Sequence, residues 1–162
     1  MRWLPVWLLA ISALWGAGPF AFNETRYVYS IDKSLEFSGE IRFDASGMEI
    51  DYGSPEVRKI VYDGARLKVF DAEGAMQQDI DLNEQPAMRL YMQFLLWLYR
   101  GDMDSLGSYF SVIEEGNELH LQPIAPTDKV VTSVRVVKEG GEVRFIKTSM
   151  SNHDEIAIRI TR

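Results

Sequence analysis

The stretch PAMRLYMQFLLWLYRGD, residues 86–102, decides the fold because it is a helical pattern within a chain of short strands. Pro86 suits the first helical position, where no amide hydrogen is needed, and Gly101 suits the end of a helix. Ten of the residues between them are large apolar or aromatic residues, so almost no polar face remains. The segment is too short to span a bilayer, which takes about 20 apolar residues. A helix on the outside of a sheet needs only one apolar stripe, so we expect this helix to be covered on most sides.

The remainder of the chain after residue 21 alternates apolar and polar residues with the period of a β-strand. LEFSGEIRF, residues 35–43, places two phenylalanines and two aliphatic residues on one face, and MEIDY, residues 48–52, repeats the pattern. Asp63-Gly64 predicts a tight hairpin, because both residues accept a positive φ. Further turns are expected at residues 72–74, 115–117, 140–141 and 151–152. About ten antiparallel strands in sequential order predict a meander, which can curl into a barrel.

A second, shorter helix is expected over residues 104–109. Asp102 or Asp104 would cap its N-terminus, although two neighbouring carboxylates are also compatible with a paired acid site. Capping is the simpler interpretation. Without an internal repeat or a linker, residues 22–162 are expected to form one domain.

The first 21 residues have the layout of a secretory signal peptide. Arg2 precedes an apolar run, and small residues lead to an expected cut after Ala21. An uncleaved anchor is the alternative, since Pro19 is awkward near a cleavage site. Removing one of 17 basic residues and none of 24 acidic residues leaves a net charge of 16 − 24 = −8. We therefore expect a periplasmic, soluble, monomeric protein that binds neither nucleic acid nor anionic headgroups.

The sequence has few candidates for catalytic or metal-binding residues. His120 lies between two leucines of a predicted strand and His153 follows Asn152 in a turn, so neither has a partner at a metal-ligand spacing. No serine has the context of a nucleophile elbow, and Gly140-Gly141 joins two strands rather than cradling a phosphate. We expect no catalytic residue, no metal and no cofactor, hence no enzyme. From the pattern alone, an ordinary core helix is favoured over a ligand-facing one for residues 86–100.

Three blocks in order resemble the periplasmic lipoprotein carrier family, which has the LolA-like fold. They are FSGEIRF, YGSPEVRKIVYDGARLKVFDAEGAMQQ and QPAMRLYMQFLLWLYRGDMDSLGSYFSVIEEGNELHLQP. The resemblance implies a mainly β (α+β) fold, in which a strongly curved antiparallel sheet forms an incomplete barrel lidded by one or two helices. It also implies a cavity that shields the acyl chains of a lipoprotein or lipid between an inner-membrane donor and an outer-membrane acceptor. On this basis the helix becomes a ligand-facing lid.

The resemblance yields a predicted ligand-binding set on the lid helix and two strands. Its members are Met88, Tyr91, Met92, Leu95, Leu98 and Tyr99 on the helix, with Phe37, Ile41, Phe43, Met48 and Ile50 on the strands. The family's best-known carrier has an arginine that helps to close the lid where Ala45 stands here, so we expect a divergent, short member without that contact. Carriage of another lipid, such as a glycolipid or a polyene acyl product, is the nearest alternative. A periplasmic sensor or scaffold that binds a protein segment is another, and a small esterase is disfavoured.

Overall fold

The structure is a computed structural model that describes residues 19–44 and 46–161. Most of the predicted signal peptide, residues 1–18, lies outside the described residues. The first strand begins at Phe20, and the carbonyl oxygen of Ala21 accepts a hydrogen bond from the Thr161 amide at 2.7 Å. Cleavage after Ala21 would therefore remove the first two residues of this strand. The position of a cut stays a prediction.

The described chain folds into eleven strands and two α-helices. The strands are β1 (Phe20–Val28), β2 (Lys33–Phe43), β3 (Met48–Ser54), β4 (Arg58–Tyr62), β5 (Arg66–Phe70), β6 (Met76–Asp81), β7 (Phe110–Glu115), β8 (Glu118–Pro123), β9 (Val131–Glu139), β10 (Glu142–Met150) and β11 (Glu155–Ile160). The helices are α1 (Pro86–Arg100) and α2 (Met103–Gly107), and short 3₁₀ helices cover Tyr29–Ile31, Leu82–Glu84 and Thr127–Lys129.

All eleven strands belong to one antiparallel sheet. Its order is β6-β5-β4-β3-β2-β1-β11-β10-β9-β8-β7, so two meanders meet where β1 pairs with β11. The sheet is not closed: among the described residues, β6 and β7 are its two edges. The prediction of a mainly β, antiparallel fold is confirmed, with helices α1 and α2 inserted between the two edge strands.

One face of this sheet is largely apolar. The register joins Ile158 of β11 to Glu24 of β1 and Glu24 to Phe37 of β2, so these three side chains share a face. Ile156 and Ile160 lie on the same face of β11, and through β1 they share this face with Ile41 of β2. The buried members of this face on other strands include Ile50, Tyr62, Leu67, Leu121, Val136 and Ile146.

A glycine marks an irregular point between β2 and β3. The pairing register shifts between Ser38 and Gly39, which identifies a β-bulge. A Cβ atom on Gly39 would lie 2.1 Å from the carbonyl oxygen of Asp51, so only glycine allows the two backbones to approach so closely. Ser38 pairs with Ser54 and Gly39 with Tyr52, so the extra residue is Gly53 of β3, and a bulge increases the local twist of the strand that carries it.

Helix α1 begins and ends with the residues that the sequence indicated, whereas α2 differs from its predicted bounds. Pro86 begins α1, and Gly101 follows it with φ 69° while its amide donates to the Leu98 carbonyl. Asp102, not Asp104, caps α2: its carboxylate accepts from the Ser105 amide at 3.2 Å and from the Ser105 hydroxyl at 2.6 Å. Helix α2 covers residues 103–107, slightly earlier than the predicted 104–109. Neither helix of the described chain is both long and apolar enough to cross a membrane.

Candidate functional site

Helix α1 has almost no solvent-facing side. Its buried residues are Met92, Phe94, Leu95, Leu96 and Leu98, and those at 90, 91, 93, 97, 99 and 100 are partly buried. Successive helical residues are about 100° apart, so buried positions at 94, 95, 96 and 98 point in most directions around the axis. Only the first turn, residues 86–89, is exposed. The expectation of a helix covered on most sides is confirmed.

The side chains of α1 contact strands that are far apart in the sheet. The Tyr99 ring lies 4.3 Å from the Phe43 ring of β2, centroid to centroid. Tyr62 of β4 donates a 2.5 Å hydrogen bond to Oε1 of Gln93. The next helical residue, Phe94, packs edge-to-face on Phe110 of β7 with the ring centroids 5.9 Å apart. β4 and β7 are separated by eight steps in the sheet order.

The segment that follows α1 covers part of its remaining surface. Leu106 of α2 is fully buried, and the Trp97 ring stacks on the Tyr109 ring with centroids 5.2 Å apart and planes inclined by 23°. Tyr109 itself is partly solvent-exposed. Trp97 is thus shielded by a residue of the connection between α2 and β7.

The C-terminal end of α1 is joined to the loop between β2 and β3. Nη2 of Arg100 donates a 2.6 Å hydrogen bond to the backbone carbonyl of Asp44. The Asp44 carboxylate accepts from the amides of Ser46 and Gly47, and the hydrogen bond from Ser46 is the main cause of its lowered pKa. The loop between β2 and β3 is therefore held against the end of α1 by an arginine of the helix.

Ten of the eleven predicted ligand-binding residues belong to one apolar cluster. Six are buried, namely Ile41, Met48, Ile50, Met92, Leu95 and Leu98, and four more, Phe37, Phe43, Tyr91 and Tyr99, are partly buried against them. Met88 is the exception. It is 37% exposed in the first turn of α1, beside the exposed Ala87 and Arg89, and it does not belong to the cluster.

A buried polar cluster on β1 and β3 was missed from the sequence. Glu24 is only 4% exposed, and its Oε2 accepts hydrogen bonds from Nε of Arg26 at 3.0 Å and from the Tyr52 hydroxyl at 3.2 Å. Nη2 of Arg26 donates to the same hydroxyl at 3.0 Å. A signal was present, because Phe22, Glu24 and Arg26 alternate along β1 and must share its apolar face.

Aromatic rings surround this polar cluster. The Arg26 guanidinium lies 4.4 Å from the centroid of the Phe37 ring, within range of a cation–π interaction. Burial, reinforced by the negative charge of Glu24, raises the pKa of Tyr52. Burial lowers the pKa of Arg26, but Glu24 and Tyr52 outweigh that effect and raise it overall. Arg26 therefore stays charged and Tyr52 stays neutral.

Both histidines lie away from the apolar cluster. Nε2 of His120 is 3.1 Å from Oε2 of Glu118, and the imidazole is partly exposed. His153 has φ 71° in the turn between β10 and β11, where its ring centroid lies 5.0 Å from that of Tyr29. Within residues 19–44 and 46–161, no three acidic, histidine or cysteine side chains are grouped as metal ligands would be.

Two open concavities of about 330 Å³ each lie on the sheet. One is beside Val57 and Phe70 near the β6 edge, and the other is beside His120 and Arg135. Neither is lined by a residue of α1. The apolar face next to α1 is instead occupied by the side chains of the helix itself.

Comparison with known proteins assigns no family to this arrangement: no family model matches the chain, and no curated protein matches it significantly in sequence.

Proposed function

We propose that the protein is a periplasmic carrier that shields the acyl chains of a lipoprotein or lipid beneath α1. In this proposal the sheet is a strongly curved, incomplete barrel, α1 is its lid, and α2 supports the lid. The observation that carries the proposal is the contact of neighbouring α1 residues with strands far apart in the sheet. The resemblance of three sequence blocks to the lipoprotein carrier family supports the same function.

The spacing of strands supports the curvature. Eight steps at about 4.8 Å would separate β4 from β7 by roughly 38 Å in a flat sheet. A helix with its side chains is only about 10–12 Å wide. The contact of Gln93 with β4 and of Phe94 with β7 supports a sheet that bends to bring the two strands to either side of one helix. A hollow sheet surface lined by aliphatic side chains is the environment that an acyl chain requires.

The packing of α1 indicates how cargo would enter and leave. A chain of roughly 15 methylenes gains about 12 kcal/mol when it leaves water, at about 0.8 kcal/mol per methylene. Such strong binding alone would prevent release. The fully packed side chains of Phe94, Leu95 and Leu96 occupy the apolar face, so cargo must displace them. Exchange of helix contacts for cargo contacts lowers the net affinity and makes transfer to an acceptor feasible.

Transport follows from this exchange without a covalent step or a cofactor. An inner-membrane donor would load the acyl chains, and an outer-membrane acceptor would remove them. Acyl chains from other lipids satisfy the same physical requirements as those of a lipoprotein. Lipid extraction from the purified protein, followed by mass spectrometry, identifies which of these chains it carries.

The function is tested by binding of a fluorescent acyl-chain probe to the wild type and to Leu95→Gln. Leu95 is buried among the apolar cluster, so an amide there lowers both the free energy of unfolding, by about 1–3 kcal/mol, and the affinity for the probe. Ala87→Gln, at an exposed position in the first turn of α1, is the matched control and leaves both unchanged. A folded wild-type protein that binds no probe would refute the proposed function.

A further inference from the structure

The connections between strands lie at two ends of the sheet. Because all the strands are antiparallel, successive connections alternate between these ends. One end has the connections β1–β2, β3–β4, β5–β6, β8–β9 and β10–β11, together with the link from α2 to β7. The other end has the connections β2–β3, β4–β5, β7–β8 and β9–β10, together with the link from β6 to α1.

Exposed apolar side chains are concentrated at the first of these ends. Of the nine large apolar residues that are exposed in the described chain, six lie in its connections or directly beside them, and none lies so at the other end. The remaining three are Leu35 and Ile113 within strands and Met88 in α1. Single exposed apolar residues are ordinary, but their restriction to one end of the sheet indicates a function. The six form what we call the apolar rim: Tyr29, Ile31, Val57, Met76, Tyr109 and Ile124.

The apolar rim follows the whole width of the sheet. Met76 begins the edge strand β6, and Tyr109 directly precedes the other edge strand, β7. Backbone hydrogen bonds hold parts of the rim in place: the Tyr29 amide donates to Oδ1 of Asp154 at 2.9 Å, and the Ile124 amide donates to the Tyr109 carbonyl at 2.9 Å. The exposure of these side chains is therefore a property of ordered connections.

The charged residues among the rim side chains are mainly acidic. The connections at this end contain six acidic residues and one lysine, counted over residues 29–32, 55–57, 71–75, 108–109, 124–130 and 151–154. An anionic surface would be repelled by this set, whereas a zwitterionic headgroup has an ammonium group that the carboxylates attract. The two tyrosines suit a membrane interface, because each has an apolar ring and a polar hydroxyl.

A lipid surface fits the rim better than a protein surface does. Specific protein interfaces have a continuous, well-packed apolar core. The rim side chains instead lie one or two at a time on separate connections, with acidic residues among them. The interface of a fluid bilayer accepts such side chains individually, without a matching shape.

We propose that the apolar rim docks the protein on the surface of a zwitterionic phospholipid bilayer. The rim side chains enter the headgroup region, and the strands stand on the membrane with this end towards it. The inference goes beyond the proposed function, because it assigns a surface at which the protein works whether or not it carries acyl chains.

The first test is flotation of the purified protein with vesicles of phosphatidylcholine and phosphatidylethanolamine in equal amounts. The wild type should float with the vesicles, and Ile31→Ser should lower its affinity for them about three- to tenfold. Ile113→Ser is the matched control, because Ile113 is 51% exposed, close to the 56% of Ile31, but lies outside the rim. It should leave the affinity unchanged. Replacement of phosphatidylethanolamine by phosphatidylglycerol should weaken binding of the wild type.

A second test identifies the end of the sheet that contacts the bilayer. The chain has no cysteine, so Ser30→Cys beside Ile31, or Ala65→Cys in the β4–β5 connection at the other end, takes a single environment-sensitive fluorophore. Vesicles should shift the emission of the label at residue 30 to shorter wavelength and leave that at residue 65 unchanged. The strand β1 begins at the other end, so attachment through the N-terminal segment would shift the label at residue 65 instead.

Three results would overturn the docking proposal. They are a wild type that does not float, equal loss of affinity in Ile31→Ser and Ile113→Ser, and an emission shift at residue 65 alone. Flotation only with vesicles that contain native membrane proteins would show that the rim binds a protein, and would overturn the proposal equally. Binding of the fluorescent acyl-chain probe is measured without vesicles, so each of these results leaves the carrier function to its own test.

Discussion

Replacement of Phe94 by alanine tests the position of α1 in the core. Phe94 is fully buried and makes edge-to-face contacts with Tyr91 of its own helix and Phe110 of β7, at 5.2 and 5.9 Å between ring centroids. Truncation of a buried phenylalanine costs about 3–5 kcal/mol, and loss of two ring pairs places Phe94 in the upper part of that range. We expect the free energy of unfolding to fall by about 4 kcal/mol.

Urea unfolding followed by tryptophan fluorescence and circular dichroism measures this change. Met88→Ala on the exposed first turn of the same helix is the control and should change the free energy of unfolding by less than about 0.5 kcal/mol. A loss below about 1 kcal/mol for Phe94→Ala would show that the helix does not pack between β4 and β7. The curvature inferred from its contacts would then be wrong.

Three further substitutions test other parts of the structure. Gly39→Ala should destabilise the protein by at least about 1 kcal/mol in urea unfolding because its Cβ collides with β3, whereas Gly53→Ala, with open space around it, should have no clear effect. Tyr62→Phe should cost about 1–2 kcal/mol, since Gln93 loses its hydrogen-bond donor. The hydrogen bond from the Ser105 hydroxyl lowers the pKa of Asp102 in the folded protein. The ionised carboxylate therefore stabilises the fold at pH values above its unfolded pKa of about 3.9. This stabilisation is lost as the pH falls through the lower pKa of the folded state. Asp102→Asn keeps a capping oxygen but no titrating group, so its free energy of unfolding should fall less than that of the wild type when the pH is lowered from about 5 to about 2. An equal fall in both proteins would contradict this role of the Asp102 carboxylate.

The strands and turns were accessible from the sequence because their determinants are local. Alternation of apolar and polar residues fixes which side of a strand is buried, and Asp63-Gly64 fixes a tight turn. The bounds of α1 followed from Pro86 and Gly101 for the same reason. The number of strands, eleven instead of the predicted ten or so, and the exact start of α2 were harder to predict from the sequence. Short elements end where tertiary contacts allow, and these contacts are not visible in a local pattern.

Alternation along β1 puts Glu24 and Arg26 on the face of Phe22, but the full polar cluster could not be found in this way, because it also needs a contact with a distant part of the chain. Glu24 and Arg26 look like ordinary surface charges until β1 is placed between β2 and β11. The hydroxyl of Tyr52 then completes the cluster from β3. Met88 belongs to the predicted ligand-binding set, but its exposure in the first turn of α1 could not be read from the sequence, because it depends on where the packed interior ends.

The most direct test of the carrier proposal is to fix α1 in place and measure acyl binding. The chain has no cysteine, so Phe43→Cys with Tyr99→Cys introduces a unique pair of thiols where β2 and α1 are in contact. A short bifunctional thiol reagent, cleavable by reduction, would join them. We expect the cross-linked protein to lose binding of the fluorescent acyl-chain probe and to regain it after reduction. Undiminished binding with the cross-link intact would show that acyl chains do not enter beneath α1, and would contradict the account.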